Sequence, residues 1–252
     1  MGGKHRLVPQ LVALLPPCHT YVEPFGGSAA VLLNKPPSPV EVFNDIDGEL
    51  VNLFMTVRDY PGDFIRCVES LPYSRTLRDA WRTQFYRGRW PKDRFERAVR
   101  YYYLVRSSFF GHIDKGWRFA LKTDEAARLY NCIGEVEQIA QRLAHVHIDC
   151  KDFRKCIRTY DRPDTCFFAD PPYYGAVPYR KKIPPFTEQC HIDLAKLLAK
   201  VQGKWLLTYN DHPRIRELYD GFKISEVVTR LNTDKMATAN RRPFRQLIIR
   251  NY

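Results

Sequence analysis

The sequence predicts an α/β protein: an open, mostly parallel sheet flanked by helices and interrupted by a mainly helical insertion. Three observations carry that prediction. A strand, glycine turn, helix and second strand follow one another and end on an acidic residue, roughly twenty positions past the glycines. Glu23, Asp45, Asp152, Asp170 and Asn210 each fall at or just past the carboxyl end of a predicted strand, the edge on which open α/β sheets bind ligands. Between about Arg58 and Ala144 the composition turns basic and aromatic.

In chain order, Leu7, Leu11, Leu14 and Leu15 recur at helical spacing until Pro16 and Pro17 stop them. Thr20 to Phe25 reads as a strand ending at Gly26-Gly27. Ser28 is the expected N-cap of a helix over Ala29 to Leu33, which Pro36-Pro37 closes. Val40 to Phe43 is the next strand, ending at Asn44-Asp45-Ile46. Glycines let backbone approach a ligand closely, and an Asp ending the second strand can accept both hydroxyls of a ribose. The glycine pattern is not Gly-x-Gly-x-x-Gly and no Gly-Lys-Ser/Thr follows. A ligand with a ribose but no phosphate fits better, and S-adenosylmethionine is the obvious one.

The insertion crowds Arg75, Arg78, Arg82, Arg87, Arg89, Lys92, Arg94, Arg97, Arg100 and Arg106 together with aromatic residues. Most of those aromatics read as the core of a small helical subdomain, and the arginines collectively as phosphate contacts. Arg106 to Trp117, with glycine turns around short apolar runs, is the expected hairpin. Its Phe109-Phe110 pair suits a wedge that unstacks a base step. The insertion closes on an amphipathic helix carrying Ile133, Val136, Ile139, Ala140 and Leu143.

The sheet resumes at Val146 to Cys150, followed by Asp152 and Phe153. His145 and His147 share a face of that strand, but further metal ligands are not found and no metal is expected. Cys166 to Ala169 is a continuous apolar run, so a buried strand, that ends on Asp170-Pro171-Pro172-Tyr173. Taken alone, this reads as a Pro-rich turn. Taken with the other strand ends, it offers a carboxylate, a backbone carbonyl and a ring to a planar amine. A helix with Leu194, Leu197, Leu198 and Val201 is expected to close at Gly203. Trp205 to Tyr209 is the next strand, and Pro213 to Gly221 spans a short helix. Two last strands flank a basic loop with Lys235, Arg241, Arg242 and Arg245.

The 252 residues carry 40 Lys and Arg against 28 Asp and Glu, a net charge of +12 that points to a polyanion, nucleic acid first. The seven scattered cysteines form no Cys-x-x-Cys pair, so a reducing cytosol is expected. Leu11 to Leu15 is too short for a signal peptide core, and no apolar run approaches membrane-spanning length.

On Gly2-Gly3-Lys4, Glu23-Pro24-Phe25-Gly26-Gly27, Asn44-Asp45-Ile46, Asp152-Phe153, Asp170-Pro171-Pro172-Tyr173, Asn210-Asp211 and Asn251-Tyr252, the chain resembles the Dam-like DNA adenine-N6 methyltransferases of the D12 class. The resemblance covers nearly the whole chain outside the insertion. It implies a Rossmann-like S-adenosylmethionine-dependent methyltransferase sheet over 1–57 and 145–252, with a target-recognition insertion over 58–144. It implies that S-adenosylmethionine is bound by Lys4, Glu23, Pro24, Phe25, Gly26, Gly27, Ser28, Asp45, Ile46, Asp152, Phe153 and Asp170. Asp170, Pro171, Pro172 and Tyr173 would grip a flipped adenine in double-stranded DNA. Arg106, Ser108, Phe109, Phe110 and His112 resemble the DNA-probing hairpin, and Arg230, Lys235, Arg241 and Arg242 the late basic loop. A bacterial or phage enzyme acting in the cytoplasm follows, expected as a monomer with a dimer as the alternative.

The chain departs from the family pattern in three places. It opens almost at Gly-Gly-Lys, from which a shortened start or weaker cofactor stacking is expected. Gln246 stands where a Glu is common, and His112-Ile113 does not match the base-reading residues of GATC enzymes. The competing readings are an inactive DNA-binding relative and an N4-cytosine or RNA methyltransferase.

Overall fold

The computed structural model describes residues 7–120, 124–131, 133–176, 183–229 and 244–252. Lys4, Arg230, Lys235, Arg241 and Arg242 lie outside them.

The chain opens with α1 (Val8–Leu14), β1 (Thr20–Glu23), α2 (Ala30–Asn34) and β2 (Val40–Asn44). Helices α3 (Gly48–Asp59), α4 (Pro61–Glu69), α5 (Arg75–Tyr86) and α6 (Arg94–Arg106) follow. Then come α7 (Glu125–Asn131), α8 (Val136–Leu143), β3 (Val146–Asp149), α9 (Phe153–Tyr160) and β4 (Thr165–Ala169). The chain ends with α10 (Glu188–Leu198), β5 (Lys204–Asn210), α11 (Pro213–Leu218), β6 (Lys223–Thr229) and β7 (Phe244–Arg250).

Two compact units result, one over Asp47–Cys150 and one over Gly2–Ile46 with Lys151–Tyr252. The divisions fall at 46/47 and 150/151 rather than at the expected 57/58 and 144/145. The reason is packing: α3 lies on α6 and α8, and β3 on α3, so both belong with the helical unit. The change of composition at Arg58 marks a surface property and misses that packing.

In the sheet unit the strands run β2-β1-β4-β5-β7-β6. β2, β1, β4 and β5 are parallel, while β7 is antiparallel to both β5 and β6. The core on one sheet face gathers Val22, Phe167, Leu207, Leu247 and Ile249 with Phe153, Ile157, Leu194 and Leu198 from α9 and α10. Every residue of β4 is buried, the state its continuous apolar run predicts. Each parallel strand delivers its last residues to one edge, which places Glu23, Asp45, Asp170 and Asn210 together at strand ends.

Two local expectations are corrected. Ser28 does not cap α2: the cap residue is Ala29, in the left-handed region at φ 53°, with no side-chain cap bond. The Glu23 carboxylate takes that task by accepting the Leu32 amide in the first turn of the helix, at 2.8 Å. Likewise, α10 ends at Leu198, before Gly203. Gly203 serves packing instead, since a Cβ there would stand 2.6 Å from the Thr165 carbonyl oxygen.

In the helical unit, Val57, Phe64, Val68, Ala98, Val99, Ile133 and Val136 form one core cluster. Phe85, Tyr101, Leu104 and Ile113 form another.

Candidate functional site

The first part of the site is the turn after β1. The Gly26 amide donates to the Asn44 carbonyl at 2.7 Å, and the Gly27 amide to Asp45 Oδ2 at 2.9 Å. The turn is thus pinned to the end of the neighbouring strand. Gly26 has no room for a side chain: a Cβ would fall 2.1 Å from the Phe43 ring. Gly27 needs its freedom for another reason, a φ of +51° with open space around it. Ser28 is exposed, as is Ile46 at 47 %.

Phe25, beside the glycines, meets Phe153 at a ring separation of 5.2 Å, so two residues expected at the cofactor are brought together. Phe186, which sequence reasoning missed, completes the cluster at 5.7 Å from Phe25 and 5.5 Å from Phe153. Asp152 caps α9 by accepting the Arg154 amide, and its carboxylate also holds the Arg154 guanidinium at 2.9 Å. Asn44, fully buried, ties three loops together. Its amide donates to the Pro24 and Lys151 carbonyls at 2.9 and 3.0 Å, while its oxygen accepts the Lys151 amide at 2.9 Å.

Glu23 is 1 % exposed, and its Oε1 accepts from both Tyr21 Oη and the Leu32 amide at 2.8 Å. Expected among the cofactor ligands, it has its Oε1 engaged by these two protein donors. Burial pushes its pKa up to about 8, against the pull of those two hydrogen bonds, and the nearby Asp170 charge adds to the rise.

The second part is Asp170 to Tyr174, leaving β4. Thr208 Oγ1 donates to Asp170 Oδ1 at 2.9 Å. Pro171 is buried and Pro172 exposed. Tyr173 Oη donates to Gln246 Oε1 at 2.7 Å, and burial pushes the phenol far above its ordinary range. Asn210 grips the Tyr174 backbone on both its amide and its carbonyl, at 3.0 and 3.1 Å.

In the helical unit, residues 107–118 form the expected hairpin-like loop. The Phe109 amide donates to the Gly116 carbonyl, the Arg118 amide to the Ser107 carbonyl, and Ser108 bridges Trp117. Phe109 is 42 % exposed, Phe110 lies in a 3-10 turn over Phe109–Gly111, and Arg106 and His112 are half-buried. Ser108 is a correction. Expected at the nucleic acid, it is fully buried and accepts from the Arg78 guanidinium at 3.1 Å.

The arginines need the same correction in part. Arg78 is 3 % exposed and also donates to the Ile113 and Lys115 carbonyls. Arg82 donates to the Ile113 carbonyl, Arg97 pairs with Glu49, and Arg100 with Glu96. These four build the subdomain, whereas Arg75, Arg87, Arg89, Lys92 and Arg94 are exposed.

Fold and strand-end chemistry together describe an α/β enzyme of the nucleoside-binding type. Comparison with known proteins makes this specific. The model of the D12 class N6 adenine-specific DNA methyltransferases matches residues 1–233, and the chain belongs to that family. The Type II methyltransferase M1.LlaDCHI of Lactococcus lactis subsp. cremoris is 27 % identical over 276 residues, covering 100 % of this chain and 93 % of that one. The DNA adenine methylase of Salmonella typhi is 24 % identical over 246 residues, 91 % of this chain and 85 % of the other. The DNA N-6-adenine-methyltransferase of Escherichia phage P1 is 26 % identical over 247 residues, 91 % of this chain and 32 % of that protein. The protein is a site-specific DNA adenine methyltransferase that uses S-adenosyl-L-methionine. No helix among the described residues is long and apolar enough to cross a membrane, and no group of metal ligands is found among them.

Proposed function

We propose that Asp170, the Pro171 carbonyl and Tyr173 hold the target adenine during methylation. The observation that carries this is Asp170 itself, set at the carboxyl end of the fully buried β4 and oriented by Thr208. The adenine N6 lone pair is delocalised into the ring, so the amine is a poor nucleophile. A carboxylate and a carbonyl accepting its two hydrogens localise that lone pair. Tyr173 supplies a ring face for stacking. Positioning and fixed electrostatics provide the rate, with no covalent enzyme intermediate.

The turn chemistry fits the cofactor. Gly27 exposes backbone where a side chain would need strain, Asp45 stands beside it, and the Phe25 and Phe153 rings offer an apolar wall. We assign Phe25 to Gly27, Asp45, Ile46, Asp152 and Phe153 to holding S-adenosylmethionine, with Lys4 as a further ligand. When bound, it supplies the electrophilic methyl group. The loop around Phe109, with Arg106, Phe110 and His112, is assigned to double-stranded DNA, together with the basic residues Arg230, Lys235, Arg241 and Arg242. A bacterial or phage-encoded enzyme acting on DNA in the cytoplasm, as a monomer with a dimer as the alternative, completes the reading, and its His112-Ile113 pair departs from the base-reading residues of GATC enzymes.

Asp170→Ala tests it. Methyl transfer from radiolabelled S-adenosylmethionine to mixed double-stranded DNA falls to background while DNA binding survives. Wild-type activity in that variant overturns the assignment.

A further inference from the structure

We infer that Thr208, Asn210 and Gln246 are positioning residues that hold the segment Asp170–Tyr174 in its working geometry, an inference that rests on the reading of Asp170 to Tyr173 as the adenine grip. Thr208 and Asn210 are two apart on β5 and so project from one sheet face. Asn210 lies directly opposite Gln246 in the β5–β7 pair, which puts Gln246 on that face as well. Three side chains on two adjacent strands therefore form one support.

Each holds a different part of the segment. Thr208 Oγ1 donates to the Asp170 carboxylate at 2.9 Å, leaving it an acceptor for the amine. Gln246 Oε1 accepts from Tyr173 Oη at 2.7 Å and so fixes the ring plane. Asn210 meets the Tyr174 amide with its oxygen and the Tyr174 carbonyl with its nitrogen, at 3.0 and 3.1 Å, as a paired strand would. The segment needs outside support because Pro171 and Pro172 carry no amide donors. Thr208 is 0 % and Gln246 3 % exposed, so water does not replace a bond lost there.

The test separates positioning from stability. Thr208→Val and Asn210→Ala are expected to slow single-turnover methyl transfer by about tenfold to a hundredfold, the size of a lost hydrogen bond to a charged or buried group. Gln246→Leu slows it about tenfold. Dissociation constants for DNA and for S-adenosylmethionine stay within about threefold. Thr208→Ser, which keeps the hydroxyl, restores the rate. Hydrogen exchange adds a readout independent of activity: the Tyr174 amide is protected in the wild type and loses that protection in Asn210→Ala.

Wild-type rates in Thr208→Val and Asn210→Ala overturn the proposal, as does a serine variant that falls as far as valine. An unprotected Tyr174 amide in the folded wild type also overturns it, whether or not the variants fold. Asp170→Ala in the same series distinguishes the failures. If it stays active, the adenine grip itself is wrong. If it is inactive while the support variants keep full rate, only the positioning role falls.

Discussion

The Gly27 amide donates to the Asp45 carboxylate at 2.9 Å, across eighteen residues of chain. This bond joins the glycine turn after one strand to the acidic end of the next. The two glycines of the turn are needed for unlike reasons, which makes their substitution informative. An alanine Cβ at Gly26 would collide with the Phe43 ring at 2.1 Å, and Phe43 is fully buried. At Gly27 there is space but φ is +51°, a strain of roughly 1–2 kcal/mol for a residue with a Cβ. Gly26→Ala is therefore expected to cost about 3 kcal/mol or more and to abolish cofactor binding. Gly27→Ala loses about 1 kcal/mol and weakens binding modestly. Thermal melts with calorimetric titration of S-adenosylmethionine check both, and equal effects would contradict the steric argument.

Glu23 predicts a pH dependence of stability. Its carboxyl pKa is raised from an ordinary 4.5 to about 8, first by burial. The folded state therefore keeps the proton to a higher pH than the unfolded chain does. Stability from this group is complete below about 4.5 and is lost as pH rises through about 8. Glu23→Gln keeps an acceptor for Tyr21 and Leu32 but cannot ionise. Its melting temperature should match the wild type near pH 5 and exceed it by several degrees near pH 9. A gap that does not widen with pH would count against the buried, protonated carboxyl.

Much of this arrangement was legible in the residues. The apolar run Cys166 to Ala169 ending on Asp170, and Asp45 spaced from the glycines, are local patterns, and local patterns survive folding. What escaped depends on distant chain segments meeting. Gln246 reaches Tyr173 across 73 residues, and Asn44 reaches Lys151 across 107. Phe186 joins Phe25 and Phe153 with no periodicity to announce it. The arginines misled for a related reason. A count of charge along the chain does not reveal that Arg78 lies beneath the loop it supports.

Arg78 and its exposed neighbours should accordingly behave as two classes. Arg78 is buried, pairs with Asp79 at 2.8 Å and holds Ser108 and the Ile113 and Lys115 carbonyls. Arg78→Ala is expected to cost about 3 kcal/mol, because it strands buried acceptors. Lysine rescues poorly, since it lacks the planar fork. Arg75→Gln, Arg87→Gln, Arg89→Gln and Arg94→Gln should each leave stability within about 0.5 kcal/mol. Those among them that contact phosphate lower the slope of log Kd against log salt by about one unit. Urea denaturation and DNA binding at several salt concentrations separate the classes. A salt slope that none of the four changes would remove this surface from the DNA interface.

Phe109 carries the last prediction. Its backbone is fixed on both sides, by the Gly116 carbonyl accepting its amide and by the His112 amide donating to its own carbonyl. The residue is nevertheless 42 % exposed, on a loop that Arg78 holds from beneath. A rigid backbone presenting an aromatic ring to solvent is the arrangement a base-step wedge requires, because a mobile ring would yield before the stacked bases do. Removing the ring gives up the packing of the part that is covered, a cost of about 1 kcal/mol. Phe109→Ala is therefore expected to lower the melting temperature by no more than about 4 °C and to leave its affinity for S-adenosylmethionine unchanged. Methylation of double-stranded DNA should fall about tenfold or more, as the few kcal/mol of unstacking lose their offset. Single-stranded DNA, or a duplex with a mismatch at the target adenine, needs less unstacking and should recover most of the wild-type rate. Fluorescence of 2-aminopurine placed at the target reads the extrusion step directly. Equal losses on paired and mismatched DNA would mean that Phe109 serves contact with the duplex rather than opening it.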